Sequence, residues 1–377
     1  MDLGAVSGTA ALPPRRAVGR LHRLPLAAAV VAIFVALLWY VAVRQAALFA
    51  IGVGMGAVLA AARFGFTTGW RTLVEERDPR GVAGQLLLLV VAAGLSMPLL
   101  AAFPELKAAL GPLSVSLVVG AFAFGLSMQI ADGCGSGTLY KAGMGVPLNA
   151  AILPLFALGS FLGAAQIDGW LALGAGEPVG LVTLLGPWPA WGLTAAALAV
   201  TALAVRGWVG PRAHWLDRRW LAGALALALL AALNLVVAGQ PWGVVYGFGL
   251  WVAKIAVAAG AFDPAGNAFW GQPGNLRILS QSILQDVTSI TNIGILAGAM
   301  LVAAGKPMSA RPLTGAQWAI GLLAGLVMGY SSRLAFGCNV GAMVSGISTG
   351  SLHGWIWVPM AFLGTLVGVR VRRRFRM

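Results

Sequence analysis

Three observations predict an all-α polytopic membrane protein of about 9–12 transmembrane helices, with short re-entrant half-helices and two pseudo-symmetric repeats. Hydrophobic residues fill 59% of the 377 positions and charged residues only 10%, too little polar surface to wrap a soluble core of this size. Apolar runs of spanning length recur along the chain. Two glycine-rich interruptions, at 129–149 and 333–353, each carry one of the two cysteines in a shared Gly-Cys-x-x-Gly frame.

The chain in order divides as follows. Residues 1–24 read as a cytoplasmic tail, and 25–207 as a first transmembrane half with apolar runs at 25–43, 46–62, 84–103, 112–131, 147–166 and 188–205. The first run is too long for a signal-peptide core and is expected to be retained. Between the second and third, RFGFTTGWRTLVEERDPRG starts inside the apolar pattern at Arg63 and reads as a half-helix before a cytoplasmic loop. The 168–187 connection carries no positive charge and is expected outside, whereas 208–220 is a basic, cytoplasmic connecting loop. A second half, 221–369, offers runs at 221–237, 244–262, 283–304, 318–336 and 355–369, and 370–377 is a basic tail. About eleven spans result. An odd number would put two basic ends on opposite faces, so either a crossing is missed near 167–187 or the charge rule fails at the C-terminus.

The net charge of +14 is carried at chain ends and loops rather than along one soluble face. Arg15, Arg16, Arg20 and Arg23, with Arg370, Arg372, Arg373, Arg374 and Arg376, read as positive-inside anchors. The expected partner is therefore the lipid bilayer of the inner membrane, crossed several times, and no nucleic acid. The cysteines form neither a disulfide framework nor a Cys-x-x-Cys pair, and His22, His214 and His353 are scattered, so no metal site is expected. No P-loop or dinucleotide fingerprint appears, and no cofactor is expected. The 14 tryptophans read mostly as an interfacial belt.

Cys338 follows Cys134 by 204 positions, and at that offset Gly125 meets Gly329, Ala131 meets Ala335, Gly133 meets Gly337, and Gly137 meets Gly341. An internal duplication follows, an arrangement that in transporters brings discontinuous helices together at a midplane site. Gly133, Gly135, Gly137, Gly337 and Gly341 let backbone approach a ligand, and a short helix beginning after each break points amide N–H groups at the gap. An anion is favoured there, and the thiols suit one bearing soft sulfur. A lone membrane cysteine is more often a small apolar filler; the matched frame favours contact with substrate. Arg63, Arg333 and Lys254 sit within or beside apolar runs, where charge is costly and by default functional; pairing with Asp132 or Asp286, or snorkelling, is the alternative. Lys141 reads as a pathway mouth or an anchor. Asn339, Gln129 and Thr138 read as neutral hydrogen-bonding partners or as local caps.

The segments ADGCGSGTLYKAG, RLAFGCNVGAM and RFGFTTGWRTL resemble the YeeE/YedE family of sulfur-transport membrane proteins, whose members include thiosulfate uptake proteins. The likeness runs from about residue 51 to 368 and is most specific at the two cysteine motifs. It implies short half-helices meeting at a central constriction, where Cys134 and Cys338 contact the terminal sulfur of thiosulfate and pass it inward. The chain departs from the family at Gly65, where members often carry a further cysteine, leaving room for another sulfur or selenium compound as substrate. The expectation is thus a non-enzymatic permease or channel-like path for a small sulfur anion, with a cytoplasmic sulfur-accepting protein as a possible partner. The alternatives are a membrane thiol oxidoreductase or sulfurtransferase working through a cysteine persulfide, and a scaffold without substrate.

Overall fold

A computed structural model describes residues 16–18, 22–306, 308–310 and 312–377. Most of the expected 1–24 tail, including Arg15 and Arg20, lies outside the described residues. The first half contains α1 (Arg23–Tyr40), α2 (Val43–Ala62), α3 (Phe66–Glu76), α4 (Arg80–Ala102), α5 (Val115–Ile130), α6 (Gly135–Gly143) and α7 (Pro147–Ala165). Two short helices, α8 (Ile167–Leu171) and α9 (Leu181–Leu185), lead to α10 (Pro187–Val209). The second half contains α11 (Arg218–Ala238), α12 (Val245–Ala258), α13 (Pro273–Ser280), α14 (Val287–Ala303), α15 (Gly315–Leu334), a π-helical segment (Asn339–Gly346) and α16 (Leu352–Arg374). A short antiparallel pairing joins Arg16–Val18 to Met308–Ala310.

The starts follow from local chemistry. The Ser114 hydroxyl accepts the Leu117 N–H at 3.1 Å ahead of α5, Asp217 and Asp286 do the same for α11 and α14, and Thr314 with Gln317 closes a capping box at α15. Pro147, Pro187 and Pro273 open α7, α10 and α13, where a missing N–H costs nothing.

Nine helical stretches among the described residues are long and apolar enough to cross a membrane. One face is marked by the basic C-terminal turn of α16. There Gln317, at the start of α15, donates to the Phe375 and Arg376 carbonyls, and Arg372 donates to the Gln129 carbonyl at the end of α5. Asn149 at the start of α7 reaches the Ala131 carbonyl. The end of α6 rests on Leu296 and Ala299 of α14, and Arg23 at the start of α1 donates to the carbonyl of Ala304 just past α14. Both basic ends therefore lie on one face.

The apparent odd number of spans resolves at α12. The expected 244–262 run forms a helix of only 14 residues, about 21 Å long, short of the roughly 30 Å hydrocarbon core. Gly247 near its start packs on Ser289 and Asn292 near the start of α14, and Asn267, past its end, donates to the Ala165 carbonyl at the end of α7, so the chain leaves on the face where it entered. Lys254, expected as a functional charge, instead donates to the Ile278 and Leu279 carbonyls at the end of α13. The basic 370–377 tail differs as well, since α16 continues helically through Arg374.

Small residues let the central helices touch backbone to backbone. A Cβ on Gly125 would collide with the Ala361 carbonyl of α16, and one on Gly329 with the Phe156 carbonyl of α7. The packing is pairwise matched: α5 lies along α16 as α15 lies along α7, and α2 lies along α14 as α11 lies along α4. Trp242, Trp270 and Trp357 are fully buried and stand outside the expected interfacial belt.

Candidate functional site

Each cysteine ends the same backbone turn. Asp132 and Phe336 are left-handed, with φ of 54° and 56°. A glycine follows, and then a cysteine at the cap position, with φ −80° and ψ −169° at Cys134 and φ −94° and ψ −167° at Cys338. The carbonyl of each cysteine starts the next helix, accepting the Thr138 N–H at 2.7 Å and the Ala342 N–H at 2.8 Å. Those same two amides explain the glycines. A Cβ on Gly133 would lie 2.8 Å from the Thr138 nitrogen, and a Cβ on Gly337, whose φ is +154°, would strike that of Ala342.

The two turns enter from opposite faces and meet. Cys338 Sγ lies 3.2 Å from where a Cβ on Gly135 would stand, with the Phe156 ring 3.4 Å from the same point. Gly135 is thus the gap into which the second sulfur fits. Both thiols are free and fully buried. Cys134 Sγ accepts the Gly137 N–H at 3.4 Å and lies 3.5 Å from the Ser136 hydroxyl. Cys338 has no side-chain cap bond, and its sulfur lies beside the Val340 and Gly341 amides. A Cβ on Gly341 would meet only the Phe336 carbonyl, at 4.0 Å.

Some buried polar groups in and beside the two turns lack protein partners. Both amide atoms of Asn339, which is fully buried, lack a hydrogen-bond partner, as do the hydroxyls of Thr67 and Thr138. Buried groups of this kind normally find a partner; others in the same condition, such as Thr194, Trp270 and His353, lie elsewhere in the protein. Thr67 was missed in sequence. It lies in the first turn of α3, its hydroxyl beside the Cys134 thiol; the RFGFTTG half-helix was the available signal. Gln129 ties three elements together, donating to the Thr67 carbonyl at 3.3 Å and the Thr365 hydroxyl at 3.4 Å.

Neither expected arginine is hydrogen-bonded to a thiol among the described residues. Arg63 occupies the exposed, left-handed cap of α2. Arg333 stacks over Phe269 at 4.5 Å and Tyr246 at 5.9 Å, with no ion pair among the described residues. Asp286, offered as its partner, instead accepts from the Ser289 amide at 2.7 Å and hydroxyl at 2.6 Å. Asp132 pairs with Arg71 at 2.7 Å, Lys141 at 2.8 Å and Arg372 at 3.4 Å. At Gly65, a Cβ would lie 3.0 Å from the Thr68 hydroxyl and 3.5 Å from that of Tyr140, so a side chain there needs a small shift of Thr68. No group of three or more metal-ligating side chains occurs among the described residues.

Three relatives are similar to this chain in sequence. The thiosulfate transporter TsuA of Spirochaeta thermophila is 26% identical over 287 residues, covering 69% of this chain and 78% of that protein. Proteins named as a probable transporter, YedE, from Escherichia coli and Salmonella typhimurium are 24% and 25% identical, over 41% and 43% of this chain. The chain spans only 39% and 40% of the length of these two. The model of the sulphur transport family matches residues 61–367, which takes in both cysteine turns, all three half-helices around them and the helices that carry them. The chain is a multi-pass membrane protein and belongs to the sulphur transport family.

Proposed function

We propose that this protein carries a small sulfur-containing anion, thiosulfate first, across the inner membrane through the junction of its two cysteine turns. The observation that supports the reading is the seating of Cys338 Sγ against Gly135, which sets the two cysteine turns side by side. The starts of α3, α6 and the π segment supply amide N–H groups there in place of side-chain cations. Partial charges of that kind hold an anion weakly enough to release it. A terminal sulfur can accept S–H donation, whereas sulfate offers only strongly hydrated oxygens, so the thiols favour the former. Arg63 and Arg333 act in this reading at the two approaches, steering anions rather than binding them at the constriction.

The matched packing supports two inverted repeats, 25–207 and 221–369, joined by the basic 208–220 loop. In this arrangement α2, α4, α5, α6 and α7 correspond to α11, α14, α15, the π segment and α16, while α3 corresponds to the re-entrant α12. Basic residues at both ends of the chain make their face cytoplasmic, where a sulfur-accepting protein would collect the product.

Uptake into vesicles, with thiosulfate, sulfate, sulfite and selenite compared side by side, tests the reading. Cys134→Ala and Cys338→Ala should each lower thiosulfate uptake at least about tenfold, equivalent to roughly 1.4 kcal/mol, with the protein still in the membrane. Equal transport of sulfate, or unchanged uptake in both variants, removes the role of the thiols. A stable sulfur adduct on either cysteine, seen by mass spectrometry, would favour the sulfurtransferase alternative.

A further inference from the structure

A cavity of about 480 Å³ lies between α3, α4, α10, α16 and the π segment, within the ~300–1,000 Å³ of ligand-binding pockets. It is a slot. Leu198, Thr201, Val205 and Trp208 line it from one face of α10, which makes it about 15 Å long at the rise of an α-helix. Its floor is Trp70 and Leu73 of α3 with Met343 and Ile347 of the π segment, all buried. At its mouth Ala204, Trp208 and Pro359 are exposed. Because α10 and α16 are both long and apolar enough to span, that mouth opens to the hydrocarbon of the bilayer. The polar side chains of the inner wall are already satisfied: Gln85 accepts from the Trp70 indole at 2.8 Å and donates to the Phe66 carbonyl at 3.3 Å, and Thr201 donates to the Ala197 carbonyl at 2.9 Å. Gln85 and Thr201 therefore offer little to a polar guest, and an empty apolar slot forgoes dispersion contacts that a hydrocarbon chain would restore.

One end of the slot is basic. There the Trp208 and Phe362 rings meet edge to face, with centroids 5.9 Å apart, and close α10 against α16. Arg77, just past α3, stacks over the Trp208 ring at 4.7 Å and donates to the Trp208 carbonyl at 2.6 Å. Arg206 stands exposed in the last turn of α10. The carboxylates of Glu75 and Asp78 are taken by Arg373 and Arg80, and among the described residues neither Arg77 nor Arg206 makes an ion pair.

We propose that this slot is a binding site for an anionic phospholipid, with an acyl chain between α10 and α16 and the headgroup phosphate on Arg77 and Arg206. The walls select hydrocarbon and the basic end selects the headgroup, as in other basic pockets between transmembrane helices. The chain enters sideways from the bilayer in which it is already dissolved. Once seated, it packs against α3 and the π segment together and so supports both half-helices without touching a thiol. The site is independent of what the protein carries.

The test is thermal unfolding of the full-length protein in detergent against added phosphatidylglycerol, with phosphatidylcholine of the same acyl chains as the control for headgroup charge. Phosphatidylglycerol should raise the melting temperature and reach half-saturation at a lower lipid-to-detergent ratio than phosphatidylcholine. Arg206→Gln should raise the half-saturating phosphatidylglycerol ratio about fivefold, the weight of one basic residue at an anionic headgroup, and leave that for phosphatidylcholine unchanged. Ala204→Trp, which fills the mouth of the slot, should remove stabilisation by both lipids. Equal titrations with the two lipids in the native protein overturn the inference, and so does an unchanged phosphatidylglycerol titration in both Arg77→Gln and Arg206→Gln. Full stabilisation of Ala204→Trp by phosphatidylglycerol overturns it too, because the lipid would then bind elsewhere. If Ala204→Trp does not fold, phosphatidylglycerol with a photoreactive group in its acyl chain decides. Adducts on 70–73, 198–208 or 343–347 support the site, and adducts confined to other segments overturn it. A native protein that is dimeric without lipid and monomeric as Ala204→Trp would give the slot to a second copy of this chain and overturn the inference as well.

Discussion

The turns at Cys134 and Cys338 share a backbone and differ in everything attached to it. The same left-handed residue, glycine and cysteine recur 204 positions apart, yet the left-handed residue is Asp132 in one and Phe336 in the other. Asp132 gathers three cations, whereas Phe336 packs beside Gly111, and the residue matching Lys141 is Ser345, which donates to the Trp242 carbonyl at 2.6 Å. Beyond the cysteines, α6 is a regular helix with its thiol bonded into the cap, while the second half-helix is π-wound and leaves its thiol uncapped. A π turn is a wider, rarer winding that often marks functional sites. One backbone device thus stands in two surroundings. The Cys134 turn lies beside ion pairs, and the Cys338 turn beside aromatic rings on which Arg333 stacks.

The largest expected effect tests the shared backbone. Gly337→Ala forces a Cβ into the Ala342 amide at a φ of +154° and should cost at least about 3 kcal/mol, read as loss of folded protein in detergent. Gly341→Ala, which meets only the Phe336 carbonyl at 4.0 Å, should unfold within about 0.5 kcal/mol of the parent. Similar losses in both would mean that the glycine frame is not specific to the turn.

Next comes the gap between the turns. Gly135→Ala places a methyl 3.2 Å from Cys338 Sγ, close enough to narrow the junction. Thiosulfate uptake should fall roughly tenfold with membrane levels maintained. Uptake at the parental rate would show that the substrate passes elsewhere.

Asn339→Leu separates function from stability. Both amide atoms of Asn339 are buried without partners, a burial that costs about 1–3 kcal/mol, so an apolar replacement of similar size should hold or raise the melting temperature. Uptake should drop several-fold nonetheless. A fall in melting temperature instead would assign Asn339 to the packing of the π segment.

The smallest effect is a control on the same face. Asp78, in the loop between α3 and α4, has its carboxyl held below the usual value of 3.8 chiefly by the Arg80 hydrogen bond. A lowered carboxylate stabilises the fold above its unfolded pKa, and that contribution is lost as pH falls through the lowered folded value. Because the pair lies at the surface, Asp78→Asn should cost only a few tenths of a kcal/mol at pH 7, with the difference from the parent shrinking as pH falls below 3.8. A cost above about 1 kcal/mol would mean that this surface pair behaves as a buried one.

Much of this was legible in the chain. Hydropathy placed α1, α2, α4, α5, α7, α10, α11, α14, α15 and α16 because a bilayer demands long apolar runs whatever their neighbours. The glycine-cysteine frame located both turns, since a left-handed turn closed against an amide admits no Cβ at its second residue. What stayed hidden depended on partners distant in sequence. The re-entry of α12 is decided by the packing of Gly247 against Ser289 and Asn292, and its apolar composition reads the same whether the chain crosses or returns. The place of Thr67 depends on α3 folding back over Cys134. The Asp132 cluster joins residues 61, 9 and 240 positions away, and no local pattern announces which cations a lone carboxylate will collect. The sequence by itself determined a membrane-spanning helical protein with two cysteine turns, because solvent and backbone sterics act locally. Only the tertiary structure decided that the turns meet, that Arg333 rests on aromatic rings and that Asp132 gathers its ion pairs, because those are matters of which buried surfaces fit together.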